Sequence, residues 1–382
     1  MRKLASIRKV DEVRAIPGAD NIEIVQIGGW QCIAQKGELK TGDLCLYLEI
    51  DSIAPDKPCF EFLRPRKFRI RTIKCMKQIS QGLAKPISIL AEFGINPEKV
   101  KEGDDYTDKI GVVKYDPEAE KEAKQARMRA PDNSWQRFFS RIPIIGRFFR
   151  RKTGQGYFPT DIVKKTDEER WQNTSPFMFK TWPGQEIEIT EKLDGTSTTF
   201  IYKPGRWWWP ETFMVCSRNQ RLPKDNGSVY WSIALDEKIL DKMRLVHKFL
   251  KLADNDYLIW QGETLAPNIQ GNNYQVGKPK FYLFNFKTFD GKLEKQLDHQ
   301  NTTSVINLTG IALRQVPLIA SQRLYDYKTL ADMIRRRPWG LKSHLNQKVD
   351  AEGVVIRLRD QNQNCFRSMK NVNVEWLLKN EE

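Results

Sequence analysis

Cysteine and histidine are scarce in this chain. Six cysteines (Cys32, Cys45, Cys59, Cys75, Cys216, Cys365) are scattered with no Cys-x-x-Cys pair, and there are three histidines in 382 residues. That pattern supports neither a disulfide framework nor a zinc site, and it fits the cytoplasm or another reducing compartment. No run approaches the ~20 uninterrupted apolar residues of a membrane-spanning helix. Residues 1–10 are charged with no apolar signal core behind them, so the protein is expected to stay where it is made, with no membrane partner. Neither Gly-x-Gly-x-x-Gly nor Gly-x-x-x-x-Gly-Lys-Ser/Thr occurs, which removes the sequence support for dinucleotide-binding and P-loop folds.

What is present is apolar material and positive charge. Hydrophobic residues make up 40% and charged residues 29%, a composition for packed cores under a heavily solvated surface. The length suits two or three domains of ~100 to 200 residues each. Lys and Arg number 63 against 48 Asp and Glu, a net charge of +15. Such an excess concentrates polyanions near the surface and puts nucleic acid first among partners. A monomer is the default expectation.

Residues 3–110 read as short strands separated by turns. Apolar alternation marks Leu4 onward to Val10, Ile22-Glu-Ile-Val-Gln-Ile27, Trp30-Gln-Cys-Ile-Ala34 and Leu44-Cys-Leu-Tyr-Leu-Glu-Ile50, with turn signals at Pro17-Gly18, Gly28-Gly29 and Gly42-Asp43. A small antiparallel barrel closes strands this short and numerous. Lys67-Phe-Arg-Ile-Arg-Thr-Ile-Lys74 alternates basic with apolar residues, so as one strand it places Lys67, Arg69 and Arg71 on one face. The composition then changes. Residues 121–152 hold ten Lys/Arg against Glu122 and Asp132, and repeat an aromatic-basic phrase at Arg137-Phe-Phe-Ser-Arg141 and Arg147-Phe-Phe-Arg150. This stretch is expected to be an insertion or linker whose aromatics stack on bases, lie on a membrane surface or pack on a neighbouring domain. Mixed α/β patterning follows: strands at Ile187-Glu-Ile189, after Lys192, at 257–260, 281–286 and 353–358, and helical spacing at 232–252 and 328–337.

The most informative phrase is Glu191-Lys192-Leu193-Asp194-Gly195-Thr196-Ser197, with an ammonium two residues from a carboxylate and a glycine turn after it. A lysine attacks phosphorus only when neutral, so such a site must depress the pKa of Lys192 by desolvation or by nearby cations such as a metal ion. Taken alone, Lys-x-Asp-Gly is a weak signal. It acquires weight from the phrases downstream: Ser217-Arg218-Asn219, Trp260-Gln-Gly-Glu263, Phe281-Tyr-Leu-Phe284-Asn285, Glu352-Gly-Val-Val-Ile356 and Ser368-Met-Lys370.

In this order the phrases resemble motifs I, Ia, III, IIIa, IV and V of the covalent nucleotidyltransferase superfamily of ligases and mRNA capping enzymes. Upstream, Thr166-Asp-Glu-Glu-Arg170-Trp-Gln-Asn173 is similar to the phrase that precedes the nucleophile in RNA ligases. The leading segment, with Ser80-Gln-Gly-Leu83, resembles the ATP-dependent RNA ligases that carry an OB domain in front, the family counted as the fifth. The resemblance implies an α+β chain: an N-terminal OB-fold β-barrel over 1–115, the basic insertion over 116–156, and an α/β nucleotidyltransferase domain, ATP-grasp-like with antiparallel sheets, over 157–382.

It also implies the residue roles. Lys192 takes AMP from ATP, and Asp194, Glu263 and Glu352 form a carboxylate environment for Mg2+ or Mn2+, largely through water. Lys370 neutralises the α-phosphate, Arg218 contacts ribose or substrate phosphate, Phe284 stacks on adenine, and Glu191 belongs to the nucleotide-binding set. Two departures stand out: Asn285 occupies a position where many relatives place Asp, and Val372 stands where a second lysine often follows, with Arg367 available to supply that charge. The implied reaction seals 5′-phosphate and 3′-hydroxyl ends of nicked or structured RNA, an RNA/DNA hybrid remaining open, in RNA repair. The alternatives are a DNA ligase, a GTP-using capping enzyme and a non-catalytic RNA-binding protein.

Overall fold

A computed structural model describes residues 3–116, 156–173, 186–207, 209–224, 226–323, 341–360 and 365–380, without the side chains of 359, 360, 365–367 and 380. The basic stretch 121–152 and the helix expected at 328–337 lie outside these residues. The chain divides into two units. Among the described residues the first holds 3–116, 169–173 and 374–380, and the second holds 156–168 and those between 186 and 373. No described helix is long and apolar enough to cross a membrane.

The first unit is an OB-fold domain built from short antiparallel strands. Glu12–Ala15, Ile22–Ile27 and Trp30–Gln35 form one sheet, and Ala5–Lys9, Leu44–Leu48 and Leu83–Pro86 form another. Ile27 pairs with Trp30 across Gly28 and Gly29, and the positive φ of 57° at Gly28 is the conformation a two-residue hairpin turn needs. The alternation puts Ile7, Val25, Ile27, Trp30, Leu46 and Leu48 inside, each contributing roughly 2 kcal/mol by leaving water. Residues 169–173 join this unit through polar contacts: Trp30 Nε1 donates to Asn173 Oδ1 (2.7 Å), and Arg170 donates to Asp51 Oδ2 (2.7 Å). Gly29 lets this segment approach, because a Cβ there would sit 2.7 Å from Gln172 Cα.

The alternation at 67–74 is not one strand. Lys67 and Phe68 take left-handed conformations, with φ of 51° and 59°, after the 3-10 helix Pro58–Arg66. Two short strands, Arg69–Ile70 and Thr72–Cys75, pair with different partners. Ile70 and Thr72 are buried as the alternation predicts, whereas the Arg69 guanidinium stacks 4.0 Å from the Tyr115 ring centroid rather than forming a ladder with Lys67.

The second unit has two antiparallel sheets. The larger carries Thr212–Cys216, Thr196–Lys203, Tyr257–Leu265, Lys280–Phe289 and Glu294–Leu297 as consecutive neighbours. The other carries Cys365–Val372, Gly353–Asp360, Glu186–Lys192 and Leu318–Arg323. Helices Val229–Asp236 and Ile239–Phe249 cover the larger sheet and close a core around Phe200, Trp231, Met243, Trp260, Phe281 and Phe286. The helical spacing at 232–252 is thus split in two, because Lys238 turns left-handed (φ 50°) between the pair. Helix His299–Thr309 is capped by Asp298, which accepts from Asn301 N, and ended by Gly310 at φ 66°.

Candidate active site

The Lys-x-Asp-Gly phrase is where the chain passes from one sheet to the other. Lys192 ends the Glu186–Lys192 strand and Thr196 begins the Thr196–Lys203 strand, so Leu193, Asp194 and Gly195 join the two sheets. Gly195 does not have a positive φ among those found in the chain. It is glycine because a Cβ would lie 2.4 Å from Thr264 O and 2.8 Å from Leu265 Cδ2.

Register brings the carboxylates to the lysine. Lys192 pairs with Gly353, so Glu352 stands beside it, and Lys192 Nζ donates to Glu352 Oε1 at 2.5 Å. Glu352 Oε2 is buried and has no hydrogen-bond partner among the described residues. Glu263 enters from the larger sheet, opposite Ser197. Burial acts most strongly on Lys192 and lowers its pKa, but the charges of Glu352, Glu263 and Asp194 outweigh it and hold the amine above the ordinary lysine value. The sequence asks for a depressed pKa. The described residues do the opposite; a divalent cation among the carboxylates would offset their charge.

The residues fit such a cation. An orphaned buried carboxylate oxygen and two further acids acting on Lys192 are a donor set for Mg2+ or Mn2+, hard ions that take oxygen ligands and retain water. No group of three His, Cys, Asp or Glu among the described residues is close enough to hold a metal by itself.

The remaining predicted residues are spread around this centre. Arg218, half-buried after the Thr212–Cys216 strand, and Lys370, on the Cys365–Val372 strand opposite Val355, converge on one oxygen: Asp167 Oδ1 lies 3.5 Å from Arg218 Nη2 and 3.4 Å from Lys370 Nζ. Phe284 packs at the edge of an apolar cluster with Leu193, Tyr282 and Val316, alongside Leu345 and Val349. Glu191 is buried on the opposite strand face from Lys192. Its Oε2 accepts from His344 N (2.9 Å), its Oε1 has no partner, and burial raises its pKa. Arg367 lies on the described Cys365–Val372 strand, with its side chain outside the described set.

The structure accounts for one departure noted in the sequence. Asn285 donates to Gln261 Oε1 (3.1 Å) and accepts from Gln296 Nε2 (3.1 Å), while Gln261 donates to Lys164 O (3.0 Å). An amide does both jobs; a carboxylate accepts only. Val372 is buried and pairs with Gly353. Sequence reading missed Asp167 as the meeting point of two cations, although the Thr166-Asp-Glu-Glu-Arg170 phrase contained it. It also missed Asn273 and Tyr274, which touch Asp194 from a polar loop with no catalytic signature.

Comparisons with known proteins agree with this architecture. A family model described as RNA ligase matches residues 185–372, and one described as an OB-fold domain matches residues 4–87. Among solved structures, Naegleria gruberi RNA ligase is similar over the full length. A lysine-to-alanine variant with ATP and Mn shares 28% identity at a TM-score of 0.74, covering 99% of this chain and 99% of that one. The form with PPi shares 29% identity at a TM-score of 0.74, covering 100% of this chain and 99% of that one. A glutamate-to-alanine variant with AMP and Mn shares 28% identity at the same score. No curated protein matches. The chain belongs to the RNA ligase family, in the branch that carries an OB-fold domain ahead of its catalytic domain.

Proposed function

We propose that this ligase uses ATP and joins a 5′-phosphate to a 3′-hydroxyl end of nicked or structured RNA through a covalent AMP adduct on Lys192. Nζ attacks the α-phosphorus, the N–P bond forms, the α–β anhydride breaks and pyrophosphate leaves. A 5′-phosphate oxygen then takes the AMP from Lys192. The 3′-hydroxyl attacks that activated end, and AMP departs as the phosphodiester forms. What supports this reading above all is Lys192 held by Glu352 Oε1, with Glu352 Oε2 buried and without a hydrogen-bond partner among the described residues.

Each side chain then has a task its position suits. Glu352 holds Nζ in line and accepts charge from its ammonium form until nucleotide arrives. Asp194, Glu263 and Glu352 would hold Mg2+ or Mn2+ mostly through water, and the ion would supply positive charge against the phosphate oxygens. Lys370 and Arg218, gathered by Asp167, face phosphate as a convergent pair of cations. Phe284 offers a ring for adenine beside Leu193. Glu191 Oε1 is an acceptor for the exocyclic amine of adenine, which favours ATP over GTP. Arg367 is the candidate for the charge absent at Val372.

The deciding experiment incubates wild type and Lys192→Ala with α-labelled ATP or GTP and Mn2+, followed by denaturing electrophoresis. A band labelled from ATP in wild type alone is expected. Labelling from GTP alone, or an equal band in the variant, would overturn the reading.

A further inference from the structure

Asp194 is held from a loop that plays no part in the sequence motifs. The segment between the strands Tyr257–Leu265 and Lys280–Phe289 presents two consecutive residues to it: Asn273 Nδ2 donates to Asp194 Oδ2 at 3.0 Å, and the Tyr274 hydroxyl accepts from Asp194 N at 2.9 Å. Tyr274 is buried in the cluster that contains Leu193, so the side chain and the backbone of Asp194 are gripped at once.

The loop's own backbone shows how firmly this is built. Gln270, Asn272 and Gln275 have φ of 46°, 51° and 54°, and Gly271 has 65°. L residues adopt that region at a cost and persist there only when surrounding contacts dictate it. Here they do: Asn272 Oδ1 accepts from Val276 N (2.8 Å), its Nδ2 donates to Val276 O (3.2 Å), and Gln275 N donates to Asn272 O (2.8 Å). The result is a knot of one turn that sets Asn273 and Tyr274 against Asp194.

We propose that Asn273 is the positioning residue for Asp194, fixing one carboxylate oxygen with a neutral amide so that the other is presented to the divalent cation when nucleotide is bound. The inference rests on the proposed function, in which Asp194 helps hold that ion through water. A neutral donor suits the task, because it orients the carboxylate without cancelling the charge the ion requires. Partners that orient a ligand in this way commonly govern metal affinity by ~10- to 100-fold.

The test measures metal binding without turnover. In a Lys192→Ala background with AMP present, Mn2+ is titrated in and the free ion is counted from its electron paramagnetic resonance signal. Adding Asn273→Ala should weaken Mn2+ binding at least tenfold. Asn273→Leu, of similar size with no donor and no charge, should weaken it to the same extent. Melting curves should stay within a few degrees of the parent, and in the Lys192 enzyme the metal concentration for half-maximal labelling should rise more than KM for ATP. If Asn273→Leu binds Mn2+ like the parent, the role is steric and the inference falls. Failure of the wild-type enzyme to form a labelled adduct would instead remove the proposed function, whatever the Mn2+ titration shows.

Discussion

Lys192 and Glu352 are 160 positions apart in the chain, and their Nζ and Oε1 atoms are 2.5 Å apart in the fold. The contact exists because Lys192 and Gly353 are register partners at the end of neighbouring antiparallel strands. It sets an ammonium, not a free amine, against Glu352: although burial disfavours the charge, the surrounding carboxylates raise the pKa above the ordinary lysine value.

The sign of the pH dependence follows. Below its pKa the neutral fraction of Lys192 grows about tenfold per pH unit, so single-turnover labelling should climb with pH, and raising Mn2+, which offsets the carboxylate charge, should carry the profile to lower pH. Glu352→Gln should move the profile to lower pH while lowering its ceiling. An unshifted profile would show that Glu352 does not control the amine. For stability, the charge on Lys192 contributes fully below the ordinary lysine pKa and is lost only as pH rises through the raised one. Melting temperature near neutral pH should therefore be insensitive to this group.

Asp167 offers one oxygen to Arg218 and Lys370 at 3.5 and 3.4 Å. Without it two like charges repel and splay away from the phosphate they are proposed to meet. Asp167→Ala should reduce the labelling rate at subsaturating ATP by about tenfold, with a smaller loss at saturation, since mispositioned cations weaken binding of the reacting geometry. A loss confined to the saturated rate would contradict this account.

Gly195→Ala should cost about 2 kcal/mol of stability, the usual scale for forcing a methyl into packed backbone, because the new Cβ would meet Thr264 O at 2.4 Å. The relief open to the chain is to shift the turn carrying Asp194, so labelling should fall with it. Gly277→Ala, where a Cβ meets nothing within 4 Å, is the matched control and should be neutral in denaturant melts and in labelling.

Much of this was legible in the order of residues. Alternation over residues 22–27 and 30–34 matches strands Ile22–Ile27 and Trp30–Gln35, because half-buried antiparallel strands need period two. The carboxylates and cations of the motifs are singled out by the resemblance of their order to the nucleotidyltransferase motifs, since each type taken alone is common on protein surfaces. The alternation at 67–74 misled because the left-handed pair Lys67 and Phe68 answers to the end of a 3-10 helix, which side-chain hydrophobicity does not encode.

The sequence by itself determined which chemistry is available: a lysine beside an aspartate, glutamates downstream, and cations to meet a polyanion. Only the tertiary structure decided how those groups act on one another. The register that seats Glu352 against Lys192, the Asp167 carboxylate shared by two cations, and the left-handed loop that aims Asn273 at Asp194 are all set by distant segments meeting in space. Whether the Lys192 amine is raised or lowered in pKa is likewise a balance of burial against three carboxylates. Such balances depend on distance and surroundings, and neither quantity exists until the chain has folded.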